Sequence, residues 1–286
     1  MSRDTKPVGE TVIEATHGWR FLNFRELYDY RDLLWLFVWR DISSRYKQTL
    51  LGPVWYVVQP ALTTAVFMVI FSRVGRIPTN GVPSSLFYLC GLLLWNYFSQ
   101  TFQSTAGTLV NNVAVFGKVY FPRLTVPLSS VISNLVGVAI QFVLFTIIFA
   151  IEKTGPRAGS YGLTGAAWML PLVFMHVALL SFGFGLWLAA LTAKFRDFAV
   201  LAGFLVQLLM YASPVIYPLS RVPTRWYPLA AINPLTFPLE ALRSMLLNAG
   251  SPNLNLGVES ITVTLVTLLT GLLVFQRVEK NFIDVI

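Results

Sequence analysis

The chain has 286 residues, of which 55% are hydrophobic and only 12% are charged, whereas soluble domains carry about 25% charged residues. This composition excludes an ordinary soluble domain and predicts an all-α integral membrane protein. The net charge of +8 does not predict nucleic-acid binding, because the basic residues flank apolar segments and form no single patch. One cysteine, Cys90, and two histidines far apart in sequence predict neither an internal disulfide nor a metal site.

The N-terminal part predicts a cytoplasmic tail, residues 1–23, followed by an amphipathic interface helix, residues 24–48. In this helix, polar residues recur every three or four positions on one face and apolar residues occupy the other. That face carries Arg25, Asp29, Asp32, Leu36, Arg40, Ser43 and Lys47. The pattern is typical of a helix lying at the membrane surface, although a soluble amphipathic helix has the same periodicity.

Residues 49–286 predict a single transmembrane domain that begins after a corner at Gly52-Pro53. About 20 apolar residues are needed for each span. The six predicted spans are residues 53–73, 85–108, 124–151, 165–191, 198–217 and 257–275. Fourteen of the 21 lysines and arginines lie on the side that holds both termini. The positive-inside rule therefore places both termini in the cytoplasm.

The connection between the fifth and sixth predicted spans, residues 214–250, contains six prolines and yet is apolar. We interpret it as short re-entrant helices on the outer side, because irregular backbone at membrane depth is tolerated only where protein or water satisfies it. An ordinary external loop is the alternative. Glu240 and Arg243 stand three positions apart in its last helical piece, residues 237–247, and this spacing lets them pair.

Motifs for catalysis are missing from the chain. The only Gly-Lys pair, Gly117-Lys118, lacks the other residues of a phosphate-binding loop, so ATP cannot bind by that route. Acidic residues are nearly absent from the spans, which argues against proton-driven transport. His176, in the middle of the fourth predicted span, is the exception as a group that could relay protons, and we expect it instead to bond a neighbouring helix. We therefore predict a chain that is not an enzyme and binds no cofactor itself.

Aromatic residues make up 14% of the chain, and we expect them to face lipid or the membrane boundary, as in every membrane protein. The alternative is a path on which sugar rings stack. The candidates on the first span are Trp55, Tyr56, Phe67 and Phe71, and those on the fifth are Phe204, Tyr211 and Tyr217.

Five groups of residues, in this order, carry a family resemblance. They include Arg40-Asp41 with Arg45-Tyr46-Lys47-Gln48-Thr49, Lys118-Val119-Tyr120-Phe121-Pro122-Arg123, Arg196-Asp197, Ser213-Pro214-Val215-Ile216-Tyr217-Pro218 with Asn233-Pro234-Leu235, and the tail with Glu279. Together they resemble the membrane subunits of polysaccharide-exporting ABC transporters, the permeases that export O-antigen, capsule and teichoic acid. The resemblance extends over about residues 30–286.

The resemblance implies a half-transporter in the inner (cytoplasmic) membrane. Two copies would pair among membrane lipids, each with a separate ATP-binding subunit that holds ATP and Mg²⁺. The substrate would be a polysaccharide linked to a polyprenyl pyrophosphate. The alternatives are an exporter of a smaller lipid or drug, and a membrane enzyme acting on polyprenyl-linked sugars.

The resemblance implies two further sets of site residues. The residues implied in ATPase docking are Arg25, Asp29, Asp32, Arg40, Asn111, Asn112, Phe116, Lys118, Tyr120 and Phe121. The lipid pyrophosphate needs cations at the inner surface, and the candidates are Arg40, Arg45, Lys47 and Arg123. Anchoring under the positive-inside rule is the alternative role of these cations.

Overall fold

The computed structural model describes residues 24–47, 52–116, 121–155, 159, 161–250 and 252–281, with the backbone alone for residues 24–26, 46 and 280–281. The described residues form helices and turns and include no strand. The helices are α1 (Phe24–Asp29), α2 (Arg31–Tyr46), α3 (Trp55–Phe67), α4 (Ser84–Ala106), α5 (Thr108–Asn111), α6 (Val113–Phe116), α7 (Thr125–Glu152), α8 (Leu170–Lys194), α9 (Asp197–Ala212), α10 (Tyr227–Ile232), α11 (Thr236–Leu247) and α12 (Leu254–Asn281). The predicted tail, residues 1–23, lies outside this part of the chain.

The predicted interface helix consists of two helices, α1 and α2, that meet at Tyr30. Tyr30 has φ −93° and ψ 18°, which lies between the helical and extended regions. α2 packs along α7 and buries Phe37 and Val38. Its opposite side exposes Trp35 and Trp39 among the polar residues, so this side is less uniformly polar than predicted. Exposed tryptophans are typical of a helix at the membrane–water boundary.

Each of the six predicted spans overlaps one of the helical stretches α3, α4, α7, α8, α9 and α12. Four helical stretches are long and apolar enough to cross a membrane, namely Gly52–Val74, Thr125–Glu152, Gly165–Lys194 and Leu254–Glu279. The first combines α3 with a 3₁₀ turn before it and π-helical turns after it. α4 has 23 residues but a more polar composition, and α9 has 16. By length and composition, therefore, four of the described helices can cross a membrane.

α9 ends at Ala212, earlier than the predicted residue 217. A residue before proline is disfavoured in the helical region, and Ser213 accordingly has φ −93° and ψ 149° ahead of Pro214. The chain then continues through short helices to α11, which matches the helical piece predicted at residues 237–247. The predicted ion pair on α11 is confirmed, since Arg243 Nη1 lies 3.4 Å from Glu240 Oε1.

This buried pair fixes the irregular segment that follows α9. Arg243 is 1% exposed, and its Nη2 donates a hydrogen bond of 2.8 Å to the carbonyl oxygen of Val215. The guanidinium carbon lies 3.9 Å from the centre of the Phe87 ring on α4. α11, the segment around Val215 and α4 are therefore joined at one point.

α4 is the central helix of the larger core, because it packs against α3, α7, α8, α9 and α11. α8 and α12 form another close contact, since a Cβ atom on Gly271 would come within 2.6 Å of the carbonyl oxygen of Gly183. Between these two helices, His176 Nε2 lies 2.9 Å from Thr264 Oγ1 and 3.1 Å from Ser260 Oγ. The prediction that His176 bonds a neighbouring helix is confirmed.

A second, smaller core joins α2 to the predicted docking segment. Phe121 lies between Phe37 and Phe116, with ring centres 5.4 Å and 5.7 Å apart, respectively. Arg123 extends this contact to α12, because its backbone N–H donates to Glu279 Oε1 (3.3 Å) and its Nη1 donates to the Glu279 carbonyl oxygen. α2, α6, α7 and the end of α12 thus form one packed unit.

Candidate functional site

Arg45, in the last turn of α2, is the centre of a hydrogen-bond network. Its Nη1 donates to Tyr56 Oη (2.6 Å) and its Nη2 donates to Asn134 Oδ1 (2.7 Å). Asn134 Nδ2 in turn donates to Thr101 Oγ1 (3.1 Å) and Ser104 Oγ (3.3 Å). One arginine therefore connects α2 to α3 and, through α7, to α4.

The positive charge of Arg45 has no acidic partner among the described residues, since no carboxylate oxygen lies within 4.0 Å of it. By contrast, Arg40 Nη2 lies 2.8 Å from Asp41 Oδ1, and Arg123 Nε lies 4.0 Å from Glu279 Oε1. Two of the predicted pyrophosphate ligands are thus paired with acids, whereas Arg45 bonds only neutral groups.

A polar groove of about 460 Å³ lies beside Arg45, between α3, α4 and α7. It is lined by Arg45, Trp55, Tyr56, Gln59, Pro60, Asn96, Gln100, Gln103 and Gln141. Five of these residues carry a side-chain amide, two are aromatic and none is acidic. Ligand sites typically measure about 300–1,000 Å³, so the groove is large enough for a small ligand or part of a larger one.

Helical periodicity brings the lining residues together. Asn96, Gln100 and Gln103 are four and three residues apart, so they share one face of α4. Gly137 on α7 leaves space for the Tyr56 ring, because a Cβ atom there would come within 2.4 Å of Tyr56 Cε1. The ring can therefore lie against α7 with its hydroxyl at Arg45.

Trp55 and Tyr56 are the predicted glycan-path residues that line the groove. Phe67 and Phe71 lie farther along the first predicted span and pack against Tyr88, with ring centres 6.0 Å and 6.4 Å from it. These four aromatic residues therefore follow one helical stretch, and only its beginning faces the groove.

The remaining predicted glycan-path residues lie elsewhere. Phe204 and Tyr211 are exposed on α9, which packs against α4 and α8. Tyr217 lies in the segment after α9, where its hydroxyl donates a hydrogen bond of 3.2 Å to the carbonyl oxygen of Ala212. Within this chain, the structure does not gather the seven aromatic residues onto one surface.

The predicted docking residues separate into exposed and buried ones. Asp29, Asp32 and Asn111 are exposed, and Arg40 and Asn112 are half-buried. Phe116 and Phe121 are 6% and 5% exposed, so they pack the segment against α2 beneath the surface. The side chain of Arg25, and Lys118 and Tyr120, lie outside the described residues. Lys47, the remaining pyrophosphate candidate, is exposed beyond the end of α2.

Sequence reasoning missed the amides of the groove and Asn134. Their signal was nevertheless present on α4, where Asn96, Gln100 and Gln103 recur on one face of an apolar helix. Amides in a predicted span are costly unless they find partners, so such a row marks either a helix contact or a site. Asn96 makes one such helix contact, since its Nδ2 donates to Gln141 Oε1 on α7 (3.0 Å).

Residues 32–247 match the family described as ABC-2 type transporter. The O-antigen export system permease protein RfbA of Klebsiella pneumoniae is 24% identical over 256 residues, which cover 89% of this chain and 95% of the relative. RfbA of Myxococcus xanthus is 30% identical over 199 residues, covering 69% and 73%. The polysialic acid transport protein KpsM of Escherichia coli is 23% identical over 243 residues, covering 84% and 91%. All the groove residues lie inside the family match.

Proposed function

Because this chain belongs to the ABC-2 type transporter family, we propose that it is the permease of an ATP-driven exporter of polysaccharide linked to a polyprenyl pyrophosphate. Relatives similar over nearly their whole length are named for O-antigen export and polysialic acid transport. The groove beside Arg45 is the observation that carries the proposal, because it places an arginine without an acidic partner among the described residues next to amides and aromatic rings. These groups suit the two parts of such a substrate, its pyrophosphate and its sugars.

Arg45 suits a pyrophosphate for a geometric reason. A guanidinium has five N–H donors in a planar fork that matches pairs of phosphate oxygens. Tyr56 and Asn134 accept two of its hydrogen bonds and hold the fork in place. Its other N–H donors have no partner in the part of the chain that the structure describes, and we propose that they bind the ligand. The exposed Lys47 adds a second positive charge nearby in sequence.

The assembly we propose has six spans per chain, with both termini in the cytoplasm of a cell that holds this protein in its inner membrane. α4 and α9 supply the two spans beyond the four apolar helices. Two copies of the chain pair, and the apolar faces of α3 and α9, which expose Leu62, Val66, Val200 and Phe204, are suited to lipid or to the second copy.

Two ATP-binding subunits, which hold the ATP and Mg²⁺, dock on the packed unit of α2, α6, α7 and the end of α12. The exposed Asp29, Asp32 and Asn111 provide polar contacts for them. Phe116 and Phe121 support these contacts from beneath. Movement of the docked subunit then reaches the groove through Arg45, which lies at the end of α2.

The proposal is tested by deleting the gene and locating the lipid-linked polymer. We expect full-length polymer to accumulate inside the cell. Complementation with Arg45→Gln should restore about one-tenth or less of the surface polymer, whereas Arg225→Gln, outside the groove, should restore all of it. Short unpolymerised units after deletion would instead indicate a membrane enzyme, and normal surface polymer would indicate an exporter of a smaller lipid or drug.

A further inference from the structure

We propose that the amides of the groove form a binding subsite for the sugar residue attached directly to the pyrophosphate. This inference rests on the proposed function and adds a specific recognition step to it. The pyrophosphate would lie at Arg45, and the first sugar would lie along α4 between Gln59 and Gln141.

Several side-chain amides of the groove keep donors or acceptors that have no partner among the described residues. Gln141 is only 3% exposed, and its Oε1 accepts a hydrogen bond from Asn96 Nδ2. Its Nε2 has no acceptor in the described part of the chain, nor do the side-chain amides of Gln59 and Gln100 have a partner there. Gln59 is exposed and Gln100 is half-buried where they line the groove, so the amides of these two residues, with Nε2 of Gln141, are placed to form hydrogen bonds with a bound ligand.

Helix packing alone does not account for this arrangement. Asn134, by contrast, joins helices through its amide, since it accepts a hydrogen bond from Arg45 and donates to both Thr101 and Ser104. Gln59 and Gln100 make no such bonds to a neighbouring helix among the described residues, and Gln103 Nε2 bonds only Ser99 of its own helix (3.3 Å). These three amides are therefore not required to hold α3 and α4 together.

The chemistry of the lining favours a neutral sugar. An amide both donates and accepts hydrogen bonds, and a sugar hydroxyl does the same. No carboxylate lines the groove to repel the pyrophosphate, and an acyl chain would leave the amides unsatisfied. The row from Asn96 to Gln103 extends ~10 Å along α4 at ~1.5 Å per residue, so it can follow a ligand that extends away from Arg45.

The test compares two lipids bound by the full chain, assembled with its ATP-binding partner in lipid nanodiscs. One lipid is polyprenyl pyrophosphate, and the other is the same lipid carrying a single neutral hexose. We expect the wild-type protein to bind the hexose-carrying lipid at least about ten-fold more tightly. The double variant Gln59→Leu, Gln100→Leu should lose this preference and bind the bare lipid as the wild type does. Gln276→Leu on α12, outside the groove, should keep the preference.

The outcomes separate the subsite from the transport function. Equal binding of both lipids by the wild type, or an unchanged preference in the double variant, would overturn the sugar subsite and leave the proposed function standing. If the wild type binds neither lipid and Arg45→Gln leaves the amount of surface polymer unchanged, the pyrophosphate part of the proposed function fails as well. Should the double variant not assemble, the single variant Gln100→Leu is measured in the same way, and loss of the preference is again the expected result.

Discussion

At the scale of single residues, the site depends on a contact between a tyrosine and a glycine. Tyr56 reaches Arg45 because Gly137 leaves the Tyr56 ring room against α7. The hydroxyl of Tyr56 then holds the guanidinium at the edge of the groove. A change at Gly137 alters the groove without removing any of its polar groups, so it separates the geometry of the site from its chemistry.

We predict that Gly137→Ala lowers export several-fold while the protein still reaches the membrane. The added methyl group would lie within 2.4 Å of the Tyr56 ring, and overpacking of this kind typically costs about 1–3 kcal/mol. The displaced ring would release Arg45, and surface polymer relative to protein level measures the effect. Gly165→Ala is the matched control, because a Cβ atom at Gly165 meets nothing within 4 Å. Wild-type export by Gly137→Ala would mean that the Tyr56–Arg45 contact is dispensable.

At the scale of elements, the docking surface depends on the aromatic contact beneath it. Phe121 lies between Phe37 of α2 and Phe116 of α6, so it holds the two docking segments as one unit. We predict that Phe121→Ala destabilises this unit by about 3–5 kcal/mol and uncouples the ATPase activity of the assembled transporter from substrate. Substrate-stimulated ATPase activity in nanodiscs is the measurement.

Phe121→Leu is the control for this prediction, because it keeps an apolar side chain of moderate size in the same core. We expect it to retain most of the stimulated activity. If Phe121→Ala is stimulated as strongly as the wild type, the two segments do not act as one docking unit.

The helices were predictable from the sequence to a large extent, and the groove was not. Spans follow from runs of apolar residues, so each predicted span overlaps a helix, and α9 ends early at the Ser213-Pro214 step, where proline disfavours the helical region. The break between α1 and α2 at Tyr30 could not be predicted, because no proline or glycine lies near it in the sequence. The groove combines α2, α3, α4 and α7, and residues as far apart as Arg45 and Gln141 meet there only through helix packing. Helical periodicity predicts which side chains share one face of a helix, but it does not predict which other helix packs against that face.

At the scale of the whole molecule, the membrane topology decides whether the docking segment reaches the cytoplasm. With the N-terminus inside and all six helices crossing, Asn111 is cytoplasmic and Gly159 is external. If only the four most apolar helices cross, these two positions exchange sides, whereas Ser220 is external in both arrangements. α9 is ~24 Å long at ~1.5 Å per residue, shorter than a hydrocarbon core of ~30 Å, so its crossing depends on the residues that follow it.

We predict the six-span arrangement, and cysteine labelling in intact and permeabilised cells tests it. The single native cysteine, Cys90, is buried and provides a silent background. A membrane-impermeant thiol reagent should label Gly159→Cys and Ser220→Cys in intact cells, and Asn111→Cys only after permeabilisation. Labelling of Asn111→Cys in intact cells, with Ser220→Cys as the positive control, would exclude the six-span arrangement. It would also place the segment of residues 111–123 on the side away from ATP, which would remove it from the docking surface.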